Sequence, residues 1–169
     1  MQVTGYMIRE ALKRQEIRRS TLAIQAKSSL WQFPGDEKMS ADEVMAQLRV
    51  AEEAIAALQV LQDRYNLMVE VEVNGVKLSL SQAIKTVGGA GRVEKQWRDF
   101  ATDTGKRGYQ DESLSRDKDE ERAVRTLSPK ECLMRSTQAA NYAGSLRAVI
   151  AEGNSKKVNF DGLDTLLFE

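Results

Sequence analysis

Met68-Val69-Glu70-Val71-Glu72-Val73-Asn74-Gly75-Val76-Lys77-Leu78-Ser79-Leu80 alternates apolar and polar side chains on both sides of an Asn-Gly pair. Strict alternation is the period of a half-buried β-strand. Asn and Gly tolerate positive φ at the two central positions of a type I′ turn better than other residues. A two-residue turn at Asn74-Gly75 sets Val73 opposite Val76, Val71 opposite Leu78 and Val69 opposite Leu80. These six are expected on one buried face. Glu72 then meets Lys77 on the other face as an attractive cross-strand pair. Pattern and turn chemistry select the same register.

Helices are expected on either side of this hairpin. Upstream, Ser40-Ala41-Asp42-Glu43 has the spacing of a capping box. Val44, Leu48, Ala51, Ile55, Leu58 and Tyr65 follow it at the 3/4 spacing of a buried face, widened by Ala54, Ala57 and Leu61. A first helix is expected over 5–31, with Thr4 as its cap and Val3 with Ile8 as a hydrophobic staple. Ile8, Leu12, Leu22 and Ala26 make its stripe, but Gln15 and Arg19 interrupt it. Either those polar groups face a partly open seam, or the stripe shifts toward Ile17 and Ile24. Phe33-Pro34-Gly35-Asp36 breaks the helix and permits an antiparallel helical hairpin. Charge agrees with that pairing: residues 1–32 carry six basic and two acidic side chains, and residues 40–66 carry two and five.

Downstream, Ser79 with Gln82 makes a second capping box. Gly88-Gly89-Ala90-Gly91 interrupts the helix that follows, as a kink or a break, before Val93, Trp97, Phe100 and Ala101 resume it. Residues 103–122 hold twelve charged side chains and read as a flexible charged loop. Residues 123–127 form a possible short third strand. Ser128-Pro129-Lys130-Glu131 is a third capping box with proline at N1. The last long helix, 129–152, has Leu133, Ala140, Ala143, Leu146 and Ile150 on its buried side, small residues Ala139, Ala140, Ala143 and Gly144 for close packing, and Gly153-Asn154 as its stop. Leu163, Leu166, Leu167 and Phe168 are too apolar to hang in water. They are expected to dock on the body or on a partner.

The fold class that follows is mainly α: a long antiparallel helical hairpin or bundle with a small β-hairpin at about 68–80, in a single domain of 169 residues. A charged share of 30%, an aromatic share of 6% and two prolines fit helix better than a β-sandwich.

Composition excludes several chemistries. The chain has one cysteine and no histidine. That rules out a Cys/His zinc site, a Ser-His-Asp triad and an internal disulfide. With 25 basic and 25 acidic residues the formal charge is zero, which argues against bulk polyanion binding. No secretory signal and no run of about 18 apolar residues is present. The chain is therefore expected in the cytoplasm, without a membrane span.

Leu61 to Asn66, then Val73-Asn74-Gly75-Val76-Lys77-Leu78 through Ala83-Ile84, resembles a family of small bacterial helical-hairpin proteins, some of which carry the name septicolysin. In that family a long helix ends near an Arg/Asn pair, here Arg64 and Asn66. A short β-hairpin with a glycine follows, then a helix opening Leu-x-x-Ala, here Leu80 to Ala83. The likeness covers about residues 40–100. Gly88–Gly91 and the charged stretch 103–122 depart from it. It implies the fold. The name implies a pore-forming activity, for which the shared motif brings no functional residues.

Candidate binding residues are few. Gly88–Gly91 with Arg92 and Lys95 could offer backbone N–H groups to an anion, but it lacks the Walker spacing, and a helix kink or tight backbone packing is the simpler reading. Arg9, Lys13, Arg14, Arg18 and Arg19 line the first helix, where the acidic second helix is a ready internal partner. Lys106, Arg107 and Tyr109 form a basic tip with one aromatic ring. Trp97 with Phe100, and Trp31 with Phe33, read as core or hairpin-closing aromatics. Cys132 reads as a small buried side chain, and Asp117, Asp119, Glu120 and Glu121 as a solvated acidic run.

No catalytic set, metal site or cofactor is expected. A non-enzymatic interaction or assembly protein of bacterial type, oligomeric, ranks first. Arg14, Arg18, Lys106, Arg107, Tyr109, Leu166, Leu167 and Phe168 are its candidate partner contacts, with a second copy the simplest partner. The alternative is a nucleic-acid or nucleotide binder using the basic first helix, the glycine run and the 105–109 tip. An enzyme built on carboxylates, Lys and Tyr ranks below both, and a pore-forming effector lowest.

Overall fold

The computed structural model describes residues 1–31, 35, 39–103 and 125–168. The elements among them run β1 (Gln2–Val3), α1 (Gly5–Ser29), α2 (Ala41–Met68), β2 (Glu70–Val73), β3 (Val76–Ser79), α3 (Leu80–Thr102), α4 (Pro129–Ser155) and β4 (Val158–Asn159), closed by a 3-10 turn at Thr165–Phe168. The chain divides into two compact units: Met1–Gln82 with Val149–Glu169, and Ala83–Ala148.

In the first unit, β2 and β3 pair antiparallel with Val73 opposite Val76, Glu72 opposite Lys77 and Val71 opposite Leu78. Asn74 and Gly75 have φ of 51° and 78°, the positive pair a type I′ turn needs. The Leu80 amide still reaches the Val69 carbonyl at 2.7 Å, so this pair closes the ladder as α3 begins. Val69, Val71, Val73 and Leu80 are buried and Leu78 is half-buried. Val76 is exposed, against expectation, although Val73 opposite it is buried.

Thr4 caps α1 by accepting the Met7 N–H at 3.2 Å, and Val3 and Ile8 are fully buried as a staple requires. Ser40 caps α2, with the Glu43 carboxylate returning to the Ser40 N–H at 2.8 Å. Of the two stripes open to α1, the interrupted one is used. Gln15 and Arg19 are half-buried along it, while Ile17 and Ile24 are exposed. Leu22, Val44 and Ala51, with Ala26 and Leu48, form a core cluster contributed by α1 and α2 alone. Arg19 reaches Glu52 across the pair at 3.9 Å. α1 ends at Ser29, and Trp31 is 81% exposed rather than a core aromatic; the corresponding reading of Phe33 lies outside the described residues. Ala57 is also exposed, on the side of α2 away from α1.

A second small sheet escapes the sequence. β1 pairs antiparallel with β4, Gln2 opposite Asn159 and Val3 opposite Val158. The Met1 amino group donates to the Phe160 carbonyl at 3.1 Å, and the Phe160 N–H returns to the Met1 carbonyl at 3.0 Å. Two-residue strands are too short to show a period.

In the second unit the glycine run does not interrupt α3, which is continuous through Gly88-Gly89-Ala90-Gly91. Ala83 and Ala90 are buried, and a packed face overrides weak propensity. Ser128 and Glu131 form the expected capping box, with Pro129 as the first residue of α4. The buried row of α4 starts one residue earlier than expected. Cys132, Ser136, Ala143 and Leu146 are buried, and Leu133 is exposed. The Ser136 hydroxyl donates to the Glu94 carbonyl of α3 at 3.2 Å. Arg135 lies 4.9 Å from the centre of the Trp97 ring, and Trp97 packs edge-on against an exposed Phe100. Arg125 donates to the Asp103 carbonyl at 2.6 Å and to the Leu127 carbonyl at 2.6 Å. Arg125 to Leu127 is irregular, not a third strand; Ala123 and Val124 lie outside the described residues.

Gly153-Asn154 does not stop α4, which continues to Ser155. Both residues are buried in the first unit. A Cβ on Gly153 would sit 2.7 Å from Val71 Cγ1. The absent side chain therefore serves contact with the β-hairpin rather than helix termination.

Candidate interaction surface

The α1–α2 hairpin carries apolar residues on two sides of each helix. Their inner rows make the shared seam. On α1, Ile17 and Ile24 lie seven residues apart and both are exposed, Ile24 to 72%, as is Trp31 just past the end of the helix. On α2 the inner row is 44, 48, 51, 55 and 58. A second row, two residues out of phase, runs 46, 50, 53, 57, 60, 64 and 67. Two residues are a rotation of about 200° on a helix, so this row lies opposite the seam. It consists of Ala46, Val50, Glu53, Ala57, Val60, Arg64 and Leu67, all exposed, with Val50 at 53%, Val60 at 55% and Leu67 at 66%.

The basic row of α1 is largely engaged within the chain. Arg9 stacks over Tyr6 at 5.9 Å from the ring centre, and Arg19 meets Glu52. Arg14 donates to the Phe168 carbonyl. That bond brings together two expected partner contacts, Arg14 and Phe168, against each other. Leu167 and Phe168 are half-buried and Leu166 is exposed, so the C-terminal segment docks on α1. Arg18 is exposed. Lys106, Arg107 and Tyr109 lie outside the described residues, as does the acidic run Asp117–Glu121.

The glycine run offers no anion cradle, because its amides lie in the interior of α3, where the helix's own carbonyls accept them. A Cβ at Gly89 or Gly91 would meet nothing within 4 Å, so neither is held as glycine by packing. Near the connected end of the hairpin, Gln25, Ser28, Ser29, Met39 and Val44 line a recess of about 150 Å³. Small-molecule sites usually start at about 300 Å³. Among the described residues no group of three acidic or cysteine side chains is placed to hold a metal, and no helix is long and apolar enough to cross a membrane.

Among the described residues, titration is perturbed in three places. Backbone and side-chain hydrogen bonds from Ser40 hold the Glu43 carboxyl below its ordinary value. The Ser128 hydroxyl and backbone N–H do the same for Glu131. Burial pushes the Tyr65 hydroxyl up, against a hydrogen bond from the Gly5 N–H. All three perturbations belong to caps or packing.

These features define a mainly α-helical protein with two small antiparallel sheets and a helical hairpin apolar on its outer sides. Comparison with protein-family models, with curated proteins and with solved structures finds no match.

Proposed function

We propose that the chain is a non-enzymatic interaction protein that works by assembly, using the outward faces of the α1–α2 hairpin. One observation carries this: the second set of apolar residues on each helix, Ile17 and Ile24 on α1 and Val50, Val60 and Leu67 on α2, exposed along elements whose inner rows already fill the seam. Periodic exposed apolar rows of this kind mark contact with another protein more often than with solvent. A cytoplasmic setting goes with the proposal, supported by the single thiol.

The test pairs mass measurement with co-purification. Wild type is compared with Ile17→Lys/Ile24→Lys and with Val50→Lys/Val60→Lys, each checked for helicity. The expected result is an oligomer, or a defined protein partner recovered from native cells, that one of the two double variants loses. A monomeric wild type whose co-purifying proteins are the same for both variants would refute the reading.

A further inference from the structure

We propose that the outer row of α2 is the contact between two copies of this chain, with the two α2 helices antiparallel and Ala57 on the two-fold axis. This rests on the assembly reading and names its partner and its face.

The row keeps a strict 4-3-4-3-4-3 spacing from Ala46 to Leu67. That is the heptad period by which one helix keeps a single seam toward another. Its apolar members are exposed valines and a leucine, spaced by Ala46 and Ala57, whose small side chains let two helix axes approach closely. The occupant is decided by the two charges within the row. Were two copies parallel and in register, Glu53 would meet Glu53 and Arg64 would meet Arg64, which is repulsive on both counts. Antiparallel pairing about Ala57 sets Val50 level with the partner's Arg64, and sets Val60 and Leu67 each one residue from level with the partner's Glu53 and the partner's Ala46. Glu53 then lies about 4.5 Å along the axis from the partner's Arg64, three residues at helical rise. An arginine side chain spans that offset, and symmetry makes the bridge twice.

Among the described residues Glu53 pairs with Arg49, 3.9 Å away on its own helix, with both side chains more than two-thirds exposed. Such a pair is weak and easily exchanged. Arg64 is exposed and makes no ion pair among the described residues. The row is thus self-complementary in charge in one orientation only, as a two-fold interface requires.

Sedimentation equilibrium of the full chain tests this with a charge exchange. Wild type is expected to dimerise in the micromolar range. Glu53→Arg and Arg64→Glu should each weaken the dimer by about tenfold or more, since each puts like charges together. Combined in one chain they should restore it, because the exchanged charges pair again. Ala57→Cys should form a disulfide-linked dimer under mild oxidation. Wild type should not, since its only cysteine, Cys132, is buried. A monomer throughout the concentration range overturns the proposal. So does a dimer indifferent to both single reversals whose Ala57→Cys form stays monomeric without reductant. That second result leaves the assembly reading standing, with its contact on another face.

Discussion

The hydroxyl of Tyr65, on α2, lies 2.7 Å from the carbonyl oxygen of Gly153, on α4. The Lys156 carbonyl is equally close, so a single phenolic proton serves two acceptors. Tyr65 is fully buried. One side chain of α2 thereby holds two backbone carbonyls at the end of α4 and just past it.

Tyr65→Phe keeps the ring and removes the hydroxyl. The Gly153 carbonyl keeps the Lys156 N–H at 3.2 Å, but both carbonyls lose the hydroxyl, which costs about 1 kcal/mol. Urea unfolding should show a lower midpoint with little change in slope. An unchanged midpoint would mean that water replaces the hydroxyl without penalty.

Glycines of opposite type should respond in opposite directions. Gly153→Ala drives a methyl to 2.7 Å from Val71 and 3.0 Å from Leu80, an overpacking cost of about 1–3 kcal/mol. Gly89→Ala and Gly91→Ala meet open space inside α3 and should each stabilise by about 1 kcal/mol. Thermal melts of the three variants check the order. Destabilisation by both Gly89→Ala and Gly91→Ala would show that the run is held in place by something other than chain propensity.

Stability should fall on both sides of neutrality. Glu43 and Glu131 have lowered folded values, so their contribution is present above the ordinary carboxylate value and disappears as pH falls through the folded one. Tyr65 has a raised value, so its contribution is full below the ordinary tyrosine value and is lost as pH rises through the folded one. Unfolding midpoints across pH should show both limbs. Ser40→Ala with Ser128→Ala should make the acid limb shallower without abolishing it, because the backbone N–H groups of both caps remain, whereas Tyr65→Phe should flatten the alkaline limb.

Deleting residues 163–169 should lower stability without changing the oligomeric state, because Leu167 and Phe168 are half-buried beside α1 and Arg14 holds the Phe168 carbonyl. Light scattering and thermal melts on the truncated chain distinguish this from a C-terminal interface, which would release monomers.

Duplex DNA should not bind tightly. The net charge is zero, and Arg9, Arg14 and Arg19 are engaged within the chain. Strong gel-shift affinity that falls steeply with salt would contradict this. Arg14→Glu with Arg18→Glu would then be expected to abolish the shift.

The sequence alone determined what is local. Three Ser-x-x-Glu/Gln boxes mark the starts of α2, α3 and α4, because a cap is closed by groups three residues apart. Asn74-Gly75 and the alternation around it determine the hairpin register for the same reason. Tertiary structure decided what depends on distant neighbours. It chose the interrupted stripe of α1 over Ile17 and Ile24, because Gln15 and Arg19 can lie along a two-helix seam. It chose Cys132 over Leu133 on α4, where small residues at 136, 139, 140 and 143 leave the hydrophobic period nearly silent. It carried α3 through three glycines whose propensity argues for a break, and it joined β1 to β4 across the length of the chain. The second row of α2 stood in the sequence throughout. Only the burial of the first row, with Ala57 left outside it, showed that the second faces outward.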